Sequence, residues 1–309
     1  MRTKALSLLV LFLVGCGAPP GASGSPARTV DPAAATILPA GTVRIVVGGD
    51  SRNDFSHVLP WAFREAKARK ASAFFFLGDM ELTPGLDRTF EEELQRLDPV
   101  PFYPALGNHE VSVFGFIPFE RARAVRRFRE RFLGTARTPV ASSLPDKVVY
   151  SVDLPGGVHF VALDNVSQAG FGADQLAWLG ADLDQARALP ATRYIVVGMH
   201  KPLAKNGVAT HGMDADGADA IRESDAALAL FVSHAVTLII ASHVHQFSHF
   251  TQAGISSYVT GGLGAPLTAT GPEHAFHHFL QLDVTDAGIK VDVVRFDGKP
   301  SFEDKPEVE

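Results

Sequence analysis

The chain has 309 residues, 46% of them hydrophobic and 20% charged, with a formal net charge of −6. That composition describes a soluble globular protein of one large or two small domains, and the acidic balance gives no surface for nucleic acid. The single cysteine, Cys16, excludes an internal disulfide, and a thiolate metal site is excluded with it.

In the first twenty residues, "MRTKALSLLVLFLVGCGAPP", Arg2 and Lys4 precede an apolar run at 6–14 and then small residues. The pattern is that of a secretory signal, too short to span a bilayer. The stretch "LVGC" resembles a bacterial lipobox, which implies acylation of Cys16 and an exported, lipid-anchored protein of the bacterial cell envelope. Residues 1–15 then form the lipoprotein signal peptide, and 16–40, rich in Pro, Gly, Ala and Ser, a flexible tether. Residues 41–300 are expected to form one domain, with a polar tail at 301–309. Apart from the acyl anchor, the acidic charge argues against electrostatic attachment to anionic lipid.

Short apolar runs then alternate with helical patterns. A strand at 43–47 precedes a helix at 57–70, a strand at 73–77, a helix through 89–97 and a strand at 100–106. The segment 119–133 puts Val125, Phe128 and Phe132 on one helical stripe, with arginines around it as a solvated face. Runs 147–154 and 157–165 form a hairpin around "PGG". A helix at 173–189, a strand at 193–199 and a helix at 218–234 follow. Strands at 236–241, 256–260, 278–284 and 289–296 end the domain. Alternation of this kind predicts an α/β domain with helices covering the sheet faces.

Five strand ends deliver a metal-ligating residue beside small neighbours. They are Gly-Gly-Asp50, Gly-Asp79, Gly-Asn108-His109-Glu110, Met-His200 and Ser-His243-Val-His245. Ligands of open α/β sheets bind beyond the carboxyl ends of the strands. Two carboxylates, an amide oxygen and three imidazoles converging there form a mixed N/O set suited to Mn, Fe, Zn or Ni.

These segments, with "ALDN" (162–165), "HKPL" (200–203) and "VTGGLGAPL" (259–267), resemble the calcineurin-like metallophosphoesterase family. The resemblance implies a four-layer α-β-β-α sandwich with two divalent metal ions. Asp50, Asp79 and His245 would hold metal 1. Asp79, Asn108, His200 and His243 would hold metal 2, with Asp79 bridging. It further implies hydrolysis of phosphate mono- or diesters by a metal-activated hydroxide, with His109 near the leaving-group oxygen as proton donor or transition-state stabiliser. Glu110 either orients His109 or serves as a plain surrounding group. The other class consistent with the chain is a lipid-anchored, catalytically weak phospho-ligand-binding protein on the same fold.

One position departs from the commoner pattern of the family. Arg52 stands where Asp-x-His would supply a metal 1 imidazole, and a guanidinium has no lone pair to donate. The purple acid phosphatase branch fills that gap with a tyrosine, but the corresponding residue here is Leu82. Water, Asn53 or His57 is left to complete metal 1, or that metal binds weakly. Arg52 instead offers a fork for phosphate oxygens. Phe114, Phe116 and Phe119 form either a substrate wall or core packing. His211, in a polar loop, is in range of the substrate or merely solvated. His274, His277 and His278 have no assigned role.

Overall fold

The computed structural model describes residues 41–54, 58–80, 87–113, 117–118, 121–166, 170–207 and 211–297. The signal, tether and tail segments, Leu82, His57, Phe114, Phe116 and Phe119 lie outside the described residues.

Two sheets carry the domain. The first contains β1 (Val43–Gly48), β2 (Ala73–Phe76), β3 (Phe102–Pro104), β12 (His278–Thr285) and β13 (Gly288–Arg295), in the order β13-β12-β1-β2-β3. The second contains β6 (Tyr150–Leu154), β7 (Val158–Leu163), β8 (Tyr194–Met199), β9 (Leu238–Ala241), β10 (Phe247–Gln252) and β11 (Ile255–Thr260), in the order β10-β11-β9-β8-β7-β6. Strands β1, β2 and β3 run parallel, as do β7, β8, β9 and β11. The two-residue strands β4 (Ser112–Val113) and β5 (Ile117–Pro118) pair with each other.

Period-two alternation sorts each strand's side chains between two faces. Phe75 of β2 stacks on Phe160 of β7 at 3.5 Å between ring centroids, which ties the two sheets face to face. Phe74 points the other way, against Phe63 of α1 (Val58–Ala68), at 5.3 Å. Trp61 of the same helix packs on Phe279 of β12. In the second sheet Val196 and Ile240 join the core between the sheets. Ile195, Val197, Met199 and Ile239 instead pack with Leu179 and Leu183 of α5 (Ala173–Ala188) and Phe231 of α6 (Ala218–Ser233). The layers are therefore helix, sheet, sheet, helix, as the family resemblance implies. Near β3, α2 (Asp87–Gln95) and α4 (Arg121–Phe132) close the edge through Phe90, Phe132 and Phe102. On α4 the apolar stripe Ala124, Val125, Phe128 and Phe132 is buried, while Arg123, Arg126 and Arg127 face solvent.

Parallel strands in both sheets bring their carboxyl ends to one end of the sandwich. Backbone bonds lock those ends together. Asp50 N–H donates to Gly78 O at 3.0 Å, and Ser242 N–H to His200 O at 2.8 Å.

Candidate metal centre

Every residue that the sequence singles out as a ligand arrives at that end. Asp50 follows β1 and Asp79 follows β2. Asn108 opens the four-residue helix α3 (Asn108–Val111) beyond β3, His200 follows β8, and His243 and His245 follow β9. Three of them, Asp50, Asp79 and His243, have left-handed backbones with φ of 61°, 61° and 65°. Such conformations cost free energy in non-glycine residues and cluster at functional sites. Glycine is required beside them. A Cβ on Gly78 (φ 89°) would lie 2.6 Å from Gly107 Cα, and one on Gly107 would collide with Asp79 itself.

The polar atoms fall into two groups that share Asp79: Asp79 with His200 and His243, and Asp50 with Asp79 and His245. Within each group the ligating atoms lie within 4.8 Å of one another. Asn108 extends the first group, its Oδ1 being 2.8 Å from His200 Nε2. His200 donates its Nδ1–H to the carbonyl of Leu77 at 2.8 Å, which leaves a lone pair on Nε2. Around that lone pair stand Asn108 Oδ1, His243 Nδ1 at 3.1 Å and Asp79 Oδ1 at 3.3 Å. No single proton satisfies so many acceptors, whereas a cation among them satisfies all.

In the second group His245 Nδ1 bonds to Pro266 O at 2.9 Å and aims Nε2 at Asp50 Oδ1, 3.5 Å away. The carboxylate of Asp50 is held from one side only. Its Oδ2 accepts from the Ser242 hydroxyl and from His243 N–H at 2.7 Å, while its Oδ1 is buried without a hydrogen-bond partner. An orphaned buried carboxylate oxygen facing an imidazole lone pair fits a metal ion.

Electrostatics points the same way. Burial pushes the Asp79 carboxyl well above the usual range, and the charge of Asp50 adds to it. For Asp50 burial also acts upward, but the neighbouring His245, the charge of His200 and the Ser242 hydroxyl bring it to about 2. His200 is lowered by burial, and His243 is lowered well below the ordinary histidine value by burial and the neighbouring His200. Neutral imidazoles are the ligating form, which the shifts of His200 and His243 favour, whereas Asp50 raises His245 against the effect of burial; a dication would favour ionised Asp79. The N/O donor set suits the borderline divalent ions expected from the sequence.

The remaining sequence-predicted residues surround this cluster. His109 is buried, its Nε2 3.7 Å from Asp79 Oδ2. Arg52 (φ 48°) is half-buried, its N–H bonds to Asp79 O at 3.1 Å, and its charge bears on the Asp79 carboxyl. Asn53 lies in the same turn, its N–H on Met80 O. His211 is exposed, yet its ring centroid is 6.2 Å from that of His243. The histidines at 274–278 are brought elsewhere. His278 is fully buried beside Phe247 and Phe276, and His274 and His277 bond to backbone carbonyls. Sequence reasoning gave no task to Ser242, although it stands inside the quoted "SHVH". It also left Glu110 open. Glu110 accepts backbone N–H groups, from Gly107 at 2.8 Å and Asp79 at 2.9 Å.

Among solved structures the chain is similar to GAP50, the anchor in the inner membrane complex of Plasmodium. The two are 13% identical with a TM-score of 0.58, over 84% of this chain and 87% of that one. A putative 5'-nucleotidase from Staphylococcus aureus is 13% identical with a TM-score of 0.49, over 84% of this chain and 55% of that one. A predicted phosphoesterase from Streptococcus pneumoniae is 12% identical with a TM-score of 0.39, over 85% and 94%. At this identity the first of them shows a shared fold alone. A search of curated proteins finds no significant match. Residues 43–247 match the profile of the calcineurin-like phosphoesterases, and that span takes in every residue of the cluster just described. With more than half of its length matched, the chain belongs to the calcineurin-like phosphoesterase family.

Proposed function

We propose that the chain hydrolyses phosphate mono- or diesters at a centre of two divalent cations. One would be held by Asp50, Asp79 and His245, the other by Asp79, Asn108, His200 and His243. The observation that carries this reading is the place of Asp79 in both acceptor groups. When bound, the cations would neutralise phosphoryl charge and lower the pKa of a water between them. The chain's own residues do the rest. Ser242 and the His243 N–H fix Asp50 through Oδ2 and leave Oδ1 to ligate. Arg52, in the turn beside Asp79, presents a guanidinium to the phosphate. His109 is the buried proton donor for the leaving oxygen. The test is hydrolysis of chromogenic mono- and diesters by the purified chain, with elemental analysis of the same sample. A metal-replete chain inactive on both would overturn the proposal.

A second reading, a catalytically weak phospho-ligand-binding protein, is favoured by one observation. Arg52 stands where the commoner family pattern has a ligating histidine, which leaves Asp50, Asp79 and His245 for metal 1, with water, Asn53 or His57 to complete it. GAP50, of similar fold, is described as an anchor. Tight phosphate binding without turnover would select this reading.

Export and lipid anchoring through Cys16 stand beside either reading as a proposal from the sequence. No helix among the described residues is long and apolar enough to cross a membrane. Cys16→Ser expressed in bacteria is expected to lose lipid labelling, and unlabelled wild-type chain would contradict the anchor.

A further inference from the structure

Glu110 stands in the single-turn helix α3 beyond β3, behind the ligands. One of its carboxylate oxygens, Oε2, accepts the N–H of Gly107 at 2.8 Å and that of Asp79 at 2.9 Å. Asp79 returns the contact, its Oδ1 accepting the N–H of His109 at 2.9 Å. The loop that carries Asp79 and the helical turn that carries Asn108 are thus clasped reciprocally, by one bond in each direction across thirty residues of chain.

Ordinary helix capping explains only part of this. A glutamate at the third position of a helix commonly reaches back to the cap residue's N–H, and the Gly107 bond is that contact. The Asp79 N–H is not needed to cap α3, and it comes from another strand. The loops meet backbone to backbone at this point, where Gly107 leaves no room for a Cβ against Asp79. A carboxylate able to accept two N–H bonds is the group that such a crossing requires.

We infer that Glu110 is a positioning residue, which sets the separation of Asp79 and Asn108 and with it the geometry of the Asp79–Asn108–His200–His243 site. The inference rests on the two-cation reading above. Residues that orient metal ligands without binding the ion are worth about 10–100-fold in metal affinity.

The test is Mn²⁺ binding, by calorimetry and electron paramagnetic resonance, to the wild-type chain and to Glu110→Gln and Glu110→Asp. Thermal unfolding of the metal-free proteins is recorded alongside. Gln retains the reach and an oxygen that accepts both N–H bonds but loses the charge, whereas Asp retains the charge and loses the reach. Glu110→Gln is expected to bind within about threefold of wild type, and Glu110→Asp to lose about 10–100-fold, in the range of other ligand-orienting groups. A folded Glu110→Gln chain that loses as much as Glu110→Asp would overturn the inference, since charge and not hydrogen bonding would then be at work. Wild-type affinity in Glu110→Asp would overturn it too, leaving the two-cation reading intact. A wild-type chain that binds no Mn²⁺ would bring down that reading and the inference together.

Discussion

Two clusters of histidine and aspartate lie on neighbouring strands of the six-stranded sheet, at opposite ends. One is the candidate metal centre, just past the end of β8 at His200. The other surrounds His159, near the start of β7. There Nδ1 is 2.8 Å from Asp153 and Nε2 2.9 Å from Asp182, while Ser151 donates to the second oxygen of Asp182 at 2.6 Å. Both ring nitrogens donate, every donor has an acceptor, and the backbone of His159 is that of an ordinary strand. Burial acts to lower the His159 pKa, but the hydrogen bonds and charges of Asp182 and Asp153 outweigh it and raise the value. At the centre the donor balance is reversed, although the Asp50 carboxylate outweighs burial and raises His245 as well. Acceptors face acceptors, Asp50 Oδ1 is orphaned, and three ligands sit at positive φ. The residue types are the same, and the balance of donors to acceptors separates a closed structural network from a site built for a cation.

The strongest way to break this contrast is Asp79→Asn. Removing the shared carboxylate is expected to lower kcat/KM on the order of 10³-fold or more, as loss of a preorganised electrostatic element does. His200→Ala should do the same, and the double variant should lose far less than the product, since both act on one unit. Full activity in Asp79→Asn would refute the shared-ligand account.

Arg52→Ala comes next, with an expected loss of about 10²-fold in kcat/KM and little change in metal content. Arg52→His sharpens the point, because it supplies an imidazole and should raise metal occupancy while weakening phosphate binding. Metal loss in Arg52→Ala with an unchanged KM would show that the arginine only holds Asp50 in place.

A smaller effect is expected of Ser242→Ala, which frees Asp50 Oδ2 from its hydroxyl partner. Metal affinity should fall about tenfold, at the lower end for a ligand-orienting group. Unchanged affinity would make the serine a bystander.

The His159 cluster should respond in stability alone. His159→Gln is expected to cost about 1–3 kcal/mol through unsatisfied buried groups, with metal content and activity intact. Because the folded-state pKa is raised, this contribution is fully present below the ordinary histidine value of 6.5 and fades as pH rises through the folded value. Urea unfolding at pH 6 and pH 9 should therefore show a larger wild-type advantage at pH 6. Metal loss in this variant would erase the distinction between the clusters.

Much of the centre is legible in the sequence, because parallel strands end in one crevice and each ligand follows an apolar run. Asp50, Asp79, Asn108, His200, His243 and His245 all arrive where that rule puts them. What is not legible depends on local conformation. Strand β10 is missed because its hairpin turns through Ala253 (φ 48°) and Gly254 (φ 85°), without the Asn-Gly or Asp-Gly pair that signals such a turn. Helix α3 is a single turn lying inside "GNHE", too short for a period. The expected strand at 100–106 shrinks to Phe102–Pro104. The grip of Glu110 on Asp79, across thirty residues, has no local signal at all. His278 has no assigned role in the sequence, and only its full burial beside Phe247 and Phe276 shows that it is core.

The most direct test of the shared Asp79 is a Mn²⁺ titration of the purified chain followed by electron paramagnetic resonance. Two ions per chain with the signature of an exchange-coupled pair are predicted for the wild type, and loss of that coupling for Asp79→Asn. A single ion, or two uncoupled ions unaffected by Asp79→Asn, would contradict the account.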